Sequence, residues 1–143
     1  MAVRRNISNG LSYFPFHYKL KTRWKDMDAF GHMNNAVFLT YIEDARITFF
    51  KRWNLFNEKK SIIVASVKID YLTQMKHPSN LIVGQKIIRI GSKSFDIESA
   101  VFIKDKPKPA ATSTATCVCY DYSKNQSVPV YTEIIEDYEN NIH

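Results

Sequence analysis

Ala36-Val37-Phe38-Leu39-Thr40-Tyr41-Ile42-Glu43-Asp44-Ala45-Arg46-Ile47-Thr48-Phe49-Phe50-Lys51-Arg52-Trp53 reads as a helix with an unusually broad apolar side. Phe38, Ile42, Ala45, Phe49 and Trp53 recur at spacings of three and four, which puts them on one face. Val37, Tyr41 and Phe50 widen that face beyond the stripe of an ordinary surface helix. Thr40, Asp44, Thr48, Lys51 and Arg52 keep a narrower polar side, and Glu43 with Arg46 is spaced as an i,i+3 ion pair. A helix of this kind needs a sheet curled round it.

The flanks supply the strands. Upstream, Phe16, Tyr18, Leu20, Thr22 and Trp24 alternate with His17, Lys19, Lys21, Arg23 and Lys25, the period of a half-buried strand. Its basic outer row either guards a sheet edge or attracts phosphates. Residues 1–13 show no periodicity and read as a loose arm or irregular lead-in. Downstream of an exit loop, Asn54 to Lys60, Ile63, Ala65, Val67, Ile69 and Tyr71 alternate with Val64, Ser66, Lys68 and Asp70. After a loop containing His77-Pro78-Ser79-Asn80, the runs Leu81 to Ile90 and Phe95 to Ile103 flank Gly91-Ser92-Lys93 as a hairpin. A proline-marked loop, Lys104 to Pro109, leads to a last long strand, Ala111 to Tyr122, and then to a short acidic helix-like segment, Val130 to Tyr138. One strand, one helix and then four strands, without a βαβ rhythm, imply an α+β fold with an antiparallel sheet of about five strands wrapped around one long central helix.

A chain of 143 residues fits one domain, with its core over roughly residues 15 to 135. No apolar run approaches the ~18 residues of a membrane span, and Met1-Ala2-Val3-Arg4-Arg5-Asn6 lacks the apolar stretch of a signal peptide, so a cytoplasmic location is expected. Cys117 and Cys119 fall on one strand face, where a disulfide would be strained; free, buried thiols fit a reducing compartment. Cys-x-Cys and four scattered histidines supply too few ligands for a structural zinc site, and no metal is expected. The formal charge of +6 points to an anionic partner, either nucleic acid or a phosphate-bearing small molecule.

Between the first strand and the helix lies the densest chemistry: Asp26-Met27-Asp28-Ala29-Phe30-Gly31-His32-Met33-Asn34-Asn35. Asn34 or Asn35 can cap the helix. A carboxylate at Asp28 would sit beside free helix N–H groups, which can also polarise a substrate carbonyl. A thioester suits such a site, being already electrophilic and carrying a good leaving group. Asp26 or Asp28 can equally cap a turn. Gly31 serves a turn or lets a ligand approach the backbone, and His32 is either a general acid or base or a structural hydrogen-bonding group.

Trp24-x-Asp26-x-Asp28-x-x-Gly31-His32-x-Asn34-Asn35, with Tyr41-x-Glu43-x-Ala45-Arg46, resembles the signature of the hotdog-fold acyl-CoA thioesterases, the 4-hydroxybenzoyl-CoA thioesterase-like family. The likeness continues through Asp70-Tyr71-Leu72, Gly91-Ser92-Lys93-Ser94-Phe95 and Pro129. It implies edge-to-edge homodimers or tetramers with active sites at the dimer interface, and hydrolysis of an acyl-CoA to a free acid and coenzyme A. It places the catalytic carboxylate, nucleophile or general base, at Asp28 and the carbonyl-polarising N–H near Asn35. It implies Asn35 and Ser94 as substrate contacts, beside Gly31 whose missing side chain leaves the backbone open to a substrate, and no cofactor, coenzyme A being part of the substrate. His32 matches a histidine that is catalytic in plant acyl-carrier-protein thioesterases, but Phe30 stands where those enzymes carry asparagine. Some bacterial relatives have histidine where this chain has Asn35. The resemblance also lets Lys19, Lys21, Arg23, Lys25 or Lys93 of a neighbouring subunit meet the nucleotide.

Two other readings compete. A non-catalytic acyl-CoA-binding or sensing module would use the same fold. Nucleic-acid binding through the basic strand is disfavoured because Tyr18 and Trp24 are expected on the apolar face, leaving no exposed aromatics among the cations.

Overall fold

The computed structural model describes residues 10–55 and 57–141. Strands β1 (Phe16–Lys21), β2 (Ser61–Tyr71), β3 (Asn80–Ile90), β4 (Ser94–Ile103) and β5 (Ala111–Asp121) form one antiparallel sheet in the order β1-β3-β4-β5-β2. A two-residue strand, β6 (Gln126–Ser127), pairs with the end of β5. The long helix α1 (Asn35–Lys51) lies in the curl of this sheet, chiefly over β1, β3 and β4, and a second helix, α2 (Thr132–Asn140), packs on β3. This is the hotdog arrangement that the resemblance implies.

Asn34 caps α1, its Oδ1 accepting from the Ala36 N–H at 2.9 Å. The expected apolar face is buried throughout, with Phe38, Ile42, Ala45, Phe49 and Trp53 all inside, although Trp53 lies just past the helix end. The Glu43–Arg46 pair does not form: Glu43 is exposed, whereas Arg46 is turned inward and buried. Beneath α1 the sheet presents in-register rows such as Tyr18–Val83–Val101–Ala111–Tyr71. Gln85 crosses the layers, its Nε2 donating to the Ile42 carbonyl at 3.2 Å and to Ser99 Oγ at 3.0 Å.

Three elements depart from the pattern read in sequence. First, β1 stops at Lys21, and Trp24–Asp26 forms a 3-10 turn. Thr22 bonds His77 and Ser79 and the Arg23–Asp26 interaction closes the turn, so Trp24 swings out to 79% exposure rather than joining the apolar face. Second, a bulge between Val64 and Ser66 in β2 changes the alternation. Ile62 and Val64 thereby join Val67, Ile69 and Tyr71 on the concave face, while Ile63 does not. Third, of the two readings of residues 1–13, residues 10–13 fit the irregular lead-in rather than the loose arm, and this lead-in is packed on the sheet. Leu11–Tyr13 form a 3-10 turn, and Phe14 is buried on the convex face against Ala100 and Phe102. Residues 1–9, the rest of that expected arm, lie outside the described residues. Cys117 and Cys119 are free and buried as expected, and burial pushes their thiols up to about 12 and about 11.

Candidate active site

Met27 and Met33 pair across a tight hairpin whose turn runs from Asp28 to His32. The Asp28 N–H donates to the His32 carbonyl at 2.7 Å, and the Gly31 N–H donates to the Asp28 carbonyl at 3.2 Å. Gly31 has φ +78°, a left-handed conformation that side chains disfavour, which is why glycine stands there. The Asp28 carboxylate closes the turn: Oδ1 accepts from the N–H of Phe30 at 2.9 Å and of His32 at 3.1 Å. Its Oδ2 has no hydrogen bond among the described residues. The hairpin is stitched to the 72–79 segment by a His32–Lys76 bridge and by the Met33 N–H donating to the Met75 carbonyl at 2.9 Å.

The two acids have separate environments. Asp26 is buried and receives Arg23 through Nε on Oδ2 and Nη2 on Oδ1, both at 3.0 Å, while Tyr41 donates its hydroxyl to Oδ2 at 2.5 Å. The Asp26 carbonyl accepts from the Asn34 N–H at 3.0 Å, tying the turn to the cap of α1. Burial alone would raise the Asp26 pKa, but the hydrogen bonds from Arg23 and Tyr41 outweigh it and hold the carboxyl below its ordinary range. Burial and the Asp26 carboxylate push the Tyr41 hydroxyl above the ordinary phenol range. Asp26 is thus committed to structure.

Asp28, His32 and Asn35 line one open cleft of about 610 Å³, with Phe38 and Tyr71 among its walls. Asn35 is the first residue of α1, and its N–H has no partner among the described residues, as expected at a helix start. Tyr71 donates its hydroxyl to the Asn35 carbonyl at 2.9 Å and sets its ring edge against Phe38 at 5.3 Å between centroids. Neither Tyr71 as a brace for the helix start nor Tyr41 as the anchor of Asp26 was legible from local spacing; only their places in the quoted signature marked them. Gly31 shapes the turn behind Asp28. Among the described residues no group of three His, Cys, Asp or Glu side chains is placed to hold a metal ion.

Ser94 is not brought to this cleft within one chain. It opens β4 opposite Val118, and its Oγ accepts from Arg89 Nη2 at 3.0 Å. The cleft lies at the other end of β5, where Tyr71 pairs with Ala111, about 23 Å away at ~3.3 Å per residue. Lys93 shares the remote position. Of the other expected basic contacts, Arg23 is taken by Asp26, and Lys19 and Lys21 line a separate cavity with Lys104.

Residues 22–137 match the family model of the thioesterase-like superfamily. The chain belongs to that superfamily. A thioesterase from Thermus thermophilus, solved in complex with coenzyme A and Zn, is 29% identical with a TM-score of 0.76, over 87% of this chain and 98% of that one. A protein from Pseudomonas aeruginosa strain PAO1 shares the fold at a TM-score of 0.83 and 22% identity, over 92% and 94% of the two chains. In Bacillus subtilis, the uncharacterized protein YsmA is 37% identical over 86 residues, 59% of this chain; the match spans 58% of that relative's length. No helix among the described residues is long and apolar enough to cross a membrane.

Proposed function

We propose that the protein is an acyl-CoA thioesterase. The observation that carries this reading is that the free oxygen of Asp28 and the unpartnered Asn35 N–H belong to residues lining one cleft at the start of α1. Asp28 activates a water molecule, or itself attacks the thioester carbonyl carbon. The carbonyl oxygen, as it gains negative charge, takes a hydrogen bond from the Asn35 N–H, aided by the helix dipole. Collapse of the tetrahedral species expels the coenzyme A thiolate, which is protonated, and water supplies the oxygen of the free acid. His32 lines the same cleft and can carry that proton. Gly31 leaves the approach to the turn open. No cofactor takes part, and coenzyme A is the leaving half of the substrate, in keeping with the Thermus relative solved with coenzyme A.

The site is shared between two copies in a homodimer, which can pair again into a tetramer. β2 is an edge strand, and Val64 and Val67 on it are 36% and 41% exposed. Leu39 and Ile47 on α1 are similarly uncovered. A second copy pairing along β2 would cover this apolar surface and bring its own Ser94 towards the substrate. The free thiols fit a cytoplasmic setting.

Release of free thiol from a panel of acyl-CoAs tests the activity. Asp28→Asn should lower kcat by about 100-fold or more while leaving the melting temperature near wild type. An unchanged rate removes Asp28 from the chemistry. Binding without turnover across the whole panel supports the sensing module instead.

A further inference from the structure

A second hollow of about 460 Å³ adjoins the Asp28 cleft at the Leu72-Thr73-Gln74 strap. All three strap residues line both cavities. The strap is held to the end of the neighbouring loop by the Leu72 and Thr73 N–H groups, which donate to the Ala110 carbonyl at 2.8 and 3.1 Å. The loop turns back on itself, the Lys106 N–H donating to the Ile103 carbonyl at 3.0 Å.

The chemistry of this hollow is divided. Leu72, Ile103, Pro107 and Pro109 supply apolar walls, while Lys106 and Lys108 are exposed and carry ammonium groups. The ion pairs among the described residues engage Arg23, Arg52, Lys60 and Arg89, and neither Lys106 nor Lys108 is in one. The loop's single acid, Asp105, stands against three lysines, Lys104, Lys106 and Lys108. An apolar surface for a flat heterocycle beside unpaired ammonium groups for phosphates is the complement of a nucleotide.

We propose that this hollow holds the nucleotide end of a coenzyme A thioester whose reacting end lies at Asp28 in the same subunit. The inference rests on the thioesterase reading above and adds which half of the substrate is recognised, and where. The two cavities share the strap as lining and so are neighbours, within the span of an extended pantetheine arm. Lys106 and Lys108 are point charges on flexible stems at an open rim. They therefore bind the substrate before and after reaction alike and act on KM rather than kcat.

Two substrates separate the halves: an acyl-CoA, and the matching acyl-N-acetylcysteamine thioester, which keeps the reacting group and lacks the nucleotide. In Lys106→Glu/Lys108→Glu, the ratio of the two KM values should rise about tenfold or more, with kcat for acyl-CoA nearly unchanged. In Lys93→Glu the ratio should hold. An unchanged ratio in the double variant, or a rise in Lys93→Glu in its place, overturns the assignment and moves the nucleotide to the β3–β4 hairpin. Calorimetry with adenosine bisphosphate, the nucleotide fragment of coenzyme A, reads the subsite without turnover. The wild type should bind it and the double variant should not; equal binding, or no binding by the wild type, overturns the proposal. If the wild type hydrolyses no thioester, the thioesterase reading fails, and the titration still decides the hollow.

Discussion

Asp26 and Asp28 are two residues apart and chemically alike, yet the fold separates their tasks. Arg23 and Tyr41 consume both oxygens of Asp26, whereas backbone N–H groups hold one oxygen of Asp28 and the other has no hydrogen bond among the described residues. The first arrangement has a consequence for acid stability. Because the folded-state pKa of Asp26 lies below its unfolded value of about 3.9, its carboxylate contributes stability above that pH and loses it as pH falls through the folded value. Asp26→Asn should therefore cost about 1.5–3 kcal/mol near neutral pH, and the difference from wild type should shrink steadily below pH ~4. Urea unfolding midpoints across that range measure it; a gap that does not narrow in acid would show that the carboxylate's charge is irrelevant. Sequence spacing could mark both acids as turn formers and one as chemical. It could not show that Tyr41, fifteen positions on, occupies the first acid, because that contact depends on how α1 lies over the turn.

At the scale of elements, the long apolar face of α1 and the alternating start of β4 were legible from their periods, whereas from Ile97 to Phe102 both faces of β4 are buried. What sequence did not give were the breaks in period: the bulge in β2, the early end of β1, and the packing of residues 10–14. Each is set by partners distant in sequence. The last is testable at Gly84, directly under Phe14. A Cβ there would stand 2.6 Å from Phe14 Cγ and 2.8 Å from its Cβ. Gly84→Ala should thus destabilise by about 1–3 kcal/mol. Phe14→Ala, which strips the cover from Ala100 and Phe102, should cost about 3 kcal/mol. The double variant should cost clearly less than the sum, since the clash and the lost contact concern the same ring. Simple additivity in thermal or urea unfolding would mean that the segment is not seated on the sheet as described.

Among the described residues of the whole molecule, the strand order β1-β3-β4-β5-β2 ends in two edges, and they are guarded differently. β1 is six residues long and sets His17, Lys19 and Lys21 outward. β2 is eleven residues long, with Val64 and Val67 exposed and chiefly Lys68 and a bulge to discourage pairing. An open edge of that length and character is a template for another strand, so β2 is the edge at which the proposed dimer joins. Ser94, about 23 Å along β5 from the cleft, is not among the residues that line it, and the proposed second copy at β2 is what would bring a Ser94 to the shared site. Val64→Lys/Val67→Lys places two charges on the shared surface and should shift sedimentation from dimer to monomer at micromolar protein, with little change in the circular dichroism of the folded chain. The monomer should retain Asp28 and its turn but lose most thioesterase activity, and raising the protein concentration should recover part of it by mass action. A variant that sediments as a monomer at full specific activity would show that each chain carries a complete site, and Ser94 would then have no part in it.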